Sequence, residues 1–228
     1  MTQHPELSFH FSRPRAPAFR RFAGAALGLL RCEPEAVTRL RLGVDAGSGG
    51  LEHLELRSQD GRCMADLELD GAGGGDRHEL VLGQWRADGA PFRATWPEGV
   101  YGVFGRQRDG TRLFAQARLS HQMTPPPQLL APRPGQRVFA RDWAALMWIA
   151  VPGAVRYEIE LVDTLAGSRH RAERVPPDTA FRVPREWLET GRLYDVSLAA
   201  DAGNGNVTRV ADRFRVDDEP LARTGVAS

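Results

Sequence analysis

Glu158 and Glu160 stand two residues apart in the run Tyr157-Glu158-Ile159-Glu160-Leu161, and paired carboxylates are what acid/base cleavage of a glycosidic bond requires. That chemistry needs the two groups on either side of a cleft. Alternation with Tyr157, Ile159 and Leu161 instead puts them side by side on the solvent face of a strand, the pattern of a sandwich exterior. Ser48 lies among glycines, but Ala46 stands two residues before it, so the Gly-x-Ser-x-Gly nucleophile elbow is not formed and Ser48 reads as a turn residue. The glycines from Gly71 to Gly75 lack the strand-to-helix setting of a dinucleotide fingerprint and the lysine of a phosphate loop. His53, His78, His121 and His170 are scattered, with neither His-Glu-x-x-His nor Cys-x-x-Cys spacing. Asp45-Ala46-Gly47-Ser48-Gly49-Gly50 offers one carboxylate, where calcium takes about six to eight oxygen ligands. No catalytic residue, cofactor or metal site is expected, and the chain reads as a non-enzyme.

The elements that would carry these residues are short strands. Leu146, Trp148 and Ala150 alternate with Met147 and Ile149, a Pro152-Gly153 turn follows, and Tyr157, Ile159 and Leu161 alternate with charged residues. Two strands and a turn are the expectation. Leu193 to Ala200 repeats the pattern after Leu188-Glu189-Thr190-Gly191, and Gly203-Asn204-Gly205-Asn206 closes it with a turn.

This combination resembles a fibronectin type III domain over about Pro125 to Val216. The resemblance implies that Trp148 is the core tryptophan of the second strand, that Tyr157 is the aromatic of the third, and that Phe214 and Val216 belong to the last. It also implies that Leu188 and Tyr194 form the corner in which a tyrosine ties its hydroxyl to upstream backbone. Such a resemblance names a fold and not an activity.

Upstream, Val37, Leu40, Leu42 and Val44 suggest a strand, Asp45 to Gly50 a turn, and Leu51, Leu54 and Leu56 the next strand, ending at Gln59-Asp60-Gly61-Arg62. Met64, Leu67 and Leu69 continue the meander. The segments His78 to Trp85 and Phe92 to Trp96 flank a polar turn at Ala87-Asp88-Gly89. Trp96-Pro97-Glu98-Gly99-Val100-Tyr101, the Asp109-Gly110 turn and Leu119-Ser120-His121 then lead into Pro125-Pro126-Pro127. Tyr101 and Phe104 are expected on strands joined by the Asp109-Gly110 turn. This region is similar to a set of uncharacterised bacterial and archaeal secreted proteins with a Pro-Glu-Gly-x-Tyr hairpin, an Asp-Gly turn and a closing Leu-Thr-His before a fibronectin type III domain; Ser120 replaces the threonine.

The expected architecture is therefore all-β: two immunoglobulin/fibronectin-like β-sandwiches in tandem joined by a Pro-rich linker. Residues 1–34 are a possible export signal or N-terminal extension, 35–121 a sandwich-like module, 122–127 a semi-rigid linker, 128–216 the fibronectin-like domain, and 217–228 a flexible tail. For the first segment two readings stand. Arginines at Arg13, Arg15, Arg20 and Arg21 precede the uncharged run Phe22 to Leu30, which has the length of a signal-peptide hydrophobic region and is too short to span a bilayer. Alternatively the segment is a strand and a short Ala-rich helix packed on the first module. Cys32 and Cys63 would bridge if the N-terminus is kept in an oxidising compartment; otherwise Cys63 is a buried small hydrophobe. Asn206-Val207-Thr208 is a formal glycosylation sequon.

The 228 residues contain 30 basic side chains, all arginine, against 29 acidic ones. A net charge of +1 leaves no electrostatic footprint for nucleic acid. The function these features favour is a non-catalytic interaction or structural module, exported to the cell surface or periplasm and contacting a protein partner through loops or a sheet edge. A cytoplasmic location follows instead if residues 1–31 are part of the fold. Candidate partner contacts are Gly73 in the glycine loop, Trp143, and Asn204 and Asn206 in the closing turn. The alternatives are a carbohydrate-binding module, for which Trp85, Trp96, Trp143 or Trp187 would supply a stacking platform, and a small hydrolase with a site between the modules.

Overall fold

A computed structural model describes residues 19–69, 76–86, 90–133, 135–139 and 145–217. Gly73 and Trp143 lie outside these residues, as do Arg13, Arg15, the Ala87-Asp88-Gly89 turn and all of the C-terminal tail after Asp217. No described helix is long and apolar enough to cross a membrane.

The chain forms two β-sandwiches, each around its own core. The first contains β1 (Arg20–Arg21), β2 (Gly24–Glu33), β3 (Val37–Asp45), β4 (Leu51–Arg57), β5 (Cys63–Glu68), β6 (Arg77–Arg86), a one-turn helix α1 (Ala90–Thr95), β7 (Gly99–Gln107) and β8 (Arg112–Leu119). The sheet β1-β8-β7-β4-β5 packs against β2-β3-β6. A period of two decides which side chains enter the core: Leu40, Leu42 and Val44 of β3 are buried, as are Leu54 and Leu56 of β4 and Tyr101 and Val103 of β7. Tyr101 and Phe104 share β7, and the Asp109-Gly110 turn connects that strand to β8.

The second sandwich contains β9 (Leu129–Ala131), β10 (Arg137–Phe139), β11 (Ala145–Trp148), β12 (Arg156–Asp163), β13 (Arg169–Arg174), β14 (Ala180–Arg182), β15 (Leu193–Asp201) and β16 (Val207–Asp217). Three strands, β14-β11-β9, face four, β13-β12-β15-β16, with β10 running parallel to the end of β16. Trp148 is buried edge-on to Tyr157, ring centroids 5.3 Å apart. The Tyr157 hydroxyl accepts the Val151 amide at 2.8 Å. Tyr194 is buried beside Phe214, and its hydroxyl accepts the Glu189 amide at 2.7 Å, which is the expected tyrosine corner.

Three expectations are corrected. The run Phe22 to Leu30, which has the look of a signal-peptide hydrophobic region, enters the first core: Phe22 is buried, and Leu27 and Leu29 of β2 pack with Leu40, Leu42 and Leu54. That core accordingly begins before Glu35. No Ala-rich helix forms, because Ala25 to Cys32 is hydrogen-bonded along the whole of β3 from Val44 to Val37. After the polar turn, Phe92 sits in α1; Pro91 suits a first helical turn, and Phe92 stacks on Trp85 with centroids 3.4 Å apart. Both cysteines are free thiols. Cys32 is half-buried on the outer side of β2, whereas Cys63 is exposed on β5 of the opposing sheet.

Leu27→Ala should cost about 3 kcal/mol of unfolding free energy, in the range for emptying a buried leucine site, when chemical denaturation of the full chain is followed by tryptophan fluorescence. A change near zero would place β2 outside the folded core.

Candidate functional site

The two sandwiches do not meet only through the proline run. Strand β2 of the first pairs in parallel with β16 of the second, Leu30 to Glu33 against Val207 to Val210. The sheet therefore continues across the whole molecule in the order β13-β12-β15-β16-β2-β3-β6. The same edge of β16 is shared between β2 at its start and β10 at its end, which covers a strand that would otherwise be open to chance pairing.

A set of buried polar groups fixes this joint. Asn206 is fully buried. Its Oδ1 accepts the Leu29 amide at 2.8 Å, and its Nδ2 donates to the carbonyls of Ser120 at 2.9 Å and Gln122 at 2.8 Å. One carboxamide thus ties together a strand of the first sandwich, the connecting segment and the closing turn of the second. Asn204 Oδ1 accepts the Asn206 amide, and Asn204 Nδ2 donates to Gln122 at 3.1 Å. Below them, the buried Thr208 hydroxyl donates to the Thr124 carbonyl at 2.8 Å, and the Thr124 hydroxyl faces the Ala200 carbonyl at 3.3 Å. Leu30, Ala199 and Val207, with Cys32 against them, add a small apolar cluster. Glycine is required where the turn crosses β2, because a Cβ on Gly28 would collide with the Gly205 carbonyl, and Gly205 itself has a φ of +90°.

The Pro-Glu-Gly motif feeds the same joint. Glu98 accepts the His121 amide at 2.6 Å and the Ser120 hydroxyl at 3.1 Å, while Tyr101 donates its hydroxyl to the Pro97 carbonyl at 2.7 Å. These hydrogen bonds, that from the His121 amide first and from Ser120 second, hold the Glu98 carboxyl below the ordinary carboxylate range.

On the outer face of the shared sheet the joint leaves a groove of about 580 Å³. Its walls come from both sandwiches: Arg41 and Glu79 from one, Arg156, Glu158, Glu160, Arg171, Glu173 and Arg209 from the other. Most of these charges are paired. Arg41 meets Glu79 at 2.8 Å; Arg156 reaches Asp201 at 2.8 Å, Glu158 at 3.1 Å and Glu173 at 3.7 Å; Glu160 receives Arg169 and Arg171. A second trough of about 750 Å³ continues it over the small residues Ala26, Gly28 and Gly43, and both reach Gly205.

Of the residues expected to contact a partner, Asn206 is inside the joint, and its buried carboxamide is also closed to glycosylation. Asn204 is half-buried and bonded to the connecting segment. The expected solvent carboxylates Glu158 and Glu160 do share the outer face, but in a groove and tied to arginines. The described tryptophans form no exposed platform: Trp96 and Trp148 are buried, Trp85 stacks on Phe92, and Trp187 on His170. Asp45 Oδ2 pairs with Arg77 at 3.0 Å and Oδ1 accepts the Gly47 amide, as a turn residue would. No histidine lines the groove that holds the hydroxyl of Ser197. The groove itself was not legible, because its walls are far apart in sequence and meet only through the β2–β16 pairing.

No protein-family model matches the sequence, and no curated protein does. Among solved structures the chain is similar to the fibronectin(III)-like modules of Clostridium thermocellum CbhA, at 9% identity over 91% of this chain and 98% of that one, with a TM-score of 0.38. It is also similar to the FN1–FN3 domains of chicken CNTN1 (9% identity, 88% and 69%, TM-score 0.37) and to a two-domain fibronectin type III segment of chicken tenascin (10% identity, 86% and 96%, TM-score 0.32). At such scores the fold rests on the strand order and the two cores themselves.

Asn206→Ala leaves the Leu29 amide and the Ser120 carbonyl without their side-chain partner, while the Gln122 carbonyl keeps Asn204, and should cost on the order of 3 kcal/mol, read by denaturant unfolding. Residual dipolar couplings should show the two sandwiches reorienting, and unchanged couplings would refute the clasp. In the acid limb the sign is fixed by the depressed Glu98 carboxyl. Its contribution is fully present above the unfolded carboxylate pKa, about 4, and is lost as pH falls through the lower folded value. Glu98→Gln should flatten that limb in unfolding midpoints measured from neutral pH downward.

Proposed function

We propose that the chain is a non-catalytic interaction or structural module that is exported and works in a cell-surface or extracellular assembly through protein-protein contacts. The observation that carries this reading is the shared sheet: two sandwiches held in one orientation present a single broad surface, as a docking platform requires. The paired charges support it further. Carboxylates already held by arginines, with no histidine beside Ser197, are poor acid/base or nucleophilic machinery and a good polar surface for a protein partner. We place the division between the two units at residues 122–127, where the connecting segment leaves β8 and enters the second core.

Export is compatible with this fold only if β2 is retained. In fractionated native host cells the exported chain should have a mature N-terminus before Arg20, read by intact mass and N-terminal sequencing; a chain confined to the cytoplasm would overturn the export part, and an exported chain starting between Leu30 and Val37 would overturn the retention of β2 in the working fold. For the binding part, the full chain cross-linked in those fractions should capture one protein in near-stoichiometric yield through residues on the shared sheet, and Asn206→Ala should lose it. Retention of the chain by host polysaccharide in affinity electrophoresis, with no protein cross-link, would replace the protein partner with a carbohydrate.

A further inference from the structure

Among the described residues, five side-chain polar atoms are shut off from solvent without a hydrogen-bond partner, and they are not scattered. Trp148 Nε1 lies in the second core. The other four, Arg41 Nε, His78 Nε2, Arg156 Nε and Arg209 Nε, belong to residues lining the two troughs that meet at Gly205. Polar groups closed off in this way are few in folded proteins, and a concentration of them calls for a water, an ion or a ligand acceptor at that place.

The groove's own carboxylates cannot supply that acceptor. Glu79 is held by Arg41, Asp201, Glu158 and Glu173 converge on Arg156, and Glu160 takes Arg169 and Arg171. Arg209 is different: it projects from β16 opposite Ala199 and Cys32, neither of which carries charge, and among the described residues its side chain has no hydrogen-bond or ion-pair partner. A guanidinium in a concave, partly dehydrated site pairs well with a carboxylate, which its planar fork grips through two hydrogen bonds.

We propose that the groove receives an extended peptide of a protein partner and that Arg209 anchors one carboxylate of it. This rests on the protein-interaction reading above and gives it a site and a chemistry. Three observations select a peptide with an isolated acidic residue. Four arginines and five carboxylates line the groove, so a densely charged polyanion would meet repulsion along its length, whereas a single acid meets the one uncompensated cation. The adjoining floor of Ala26, Gly28 and Gly43 lets a backbone lie close to the sheet. None of the described tryptophans lines either trough, so a sugar ring has no indole to stack on there.

The test is a titration of the isotope-labelled full chain, followed by backbone amide shifts. The ligands are a blocked peptide of about six residues, alanines with one central glutamate, its glutamine counterpart, and a short oligogalacturonate. The glutamate peptide should give saturable shifts at Leu30, Ala199, Val207 and Arg209 with a dissociation constant of roughly 1 mM. The glutamine peptide, and the glutamate peptide on Arg209→Gln, should bind about tenfold more weakly or less. Arg209→Gln keeps a polar residue at a half-buried outer position, and an unchanged melting temperature verifies that it folds. Equal shifts with the two peptides, no saturable shift, or tighter binding of the oligogalacturonate would each overturn the proposal. If the peptide fails while cross-linking still captures a protein dependent on Asn206, the partner docks on another part of the sheet and the broader reading survives.

Discussion

One carboxamide decides whether this chain is two beads or one body. Asn206 is fully buried and reaches a β2 amide on one side and two carbonyls of the connecting segment on the other. The Leu29 amide loses its buried acceptor if that side chain is removed, and a buried unpaired amide is expensive. Pulling the sandwiches apart therefore breaks several hydrogen bonds at once, along with the four-residue parallel pairing of β2 on β16 and the contacts of Leu30 with Val207 and Ala199. A flexible proline spacer would give the same connectivity without such a cost. The difference matters because a surface assembled from two units exists only while their orientation is held.

The joint also explains residues that look idle within either sandwich. Gly28 is placed mid-strand, where glycine weakens a sheet, yet no side chain could stand beneath the Gly205 carbonyl. Thr208 is buried in the second sandwich with its hydroxyl turned toward Thr124 of the connecting segment. Glu98 secures Ser120 and His121 at the end of β8, so that the carbonyls received by Asn206 are presented in place. The Pro-Glu-Gly hairpin and the closing turn, far apart in sequence, act on one junction.

Much of the second sandwich was legible from the sequence, and the reason is local. Trp148, Tyr157 and Tyr194 alternate with charged residues because each strand has one buried and one solvated face, and a period of two writes itself into the sequence. Strand β2 breaks that rule. Leu27 and Leu29 enter the first core, while Gly28 and Leu30 on the other face are covered by the closing turn and by Val207. A strand covered on both faces carries no alternation, and a short uncharged apolar run then looks the same as a signal-peptide hydrophobic region. The burial of Asn206 was hidden for a related reason: Gly-Asn-Gly-Asn is turn chemistry, and nothing in the local pattern reveals that the last side chain reaches Leu29, 177 residues away. Parallel pairing across such a separation has no short-range signature at all.

The groove inherits its properties from the same constraint. Arg41 and Glu79 stand on one sandwich, and Arg156, Glu173 and Arg209 on the other, so the width of the groove is the angle of the joint expressed at side-chain length. Ion pairs within each wall, Arg41 with Glu79 and Arg156 with its three carboxylates, survive any change in that angle because both partners move together. Arg209 sits on β16 within the pairing with β2, at the seam of the two units, and is paired with none of the carboxylates of either wall. An acceptor bound there would touch the strand that joins the two units, and a peptide continuing from it over Ala26, Gly28 and Gly43 would span both walls. Binding of such a peptide and closure of the joint would then be coupled in the thermodynamic sense: whatever favours the clasped orientation would raise the affinity of the groove, and a ligand across it would favour the clasp by the same factor.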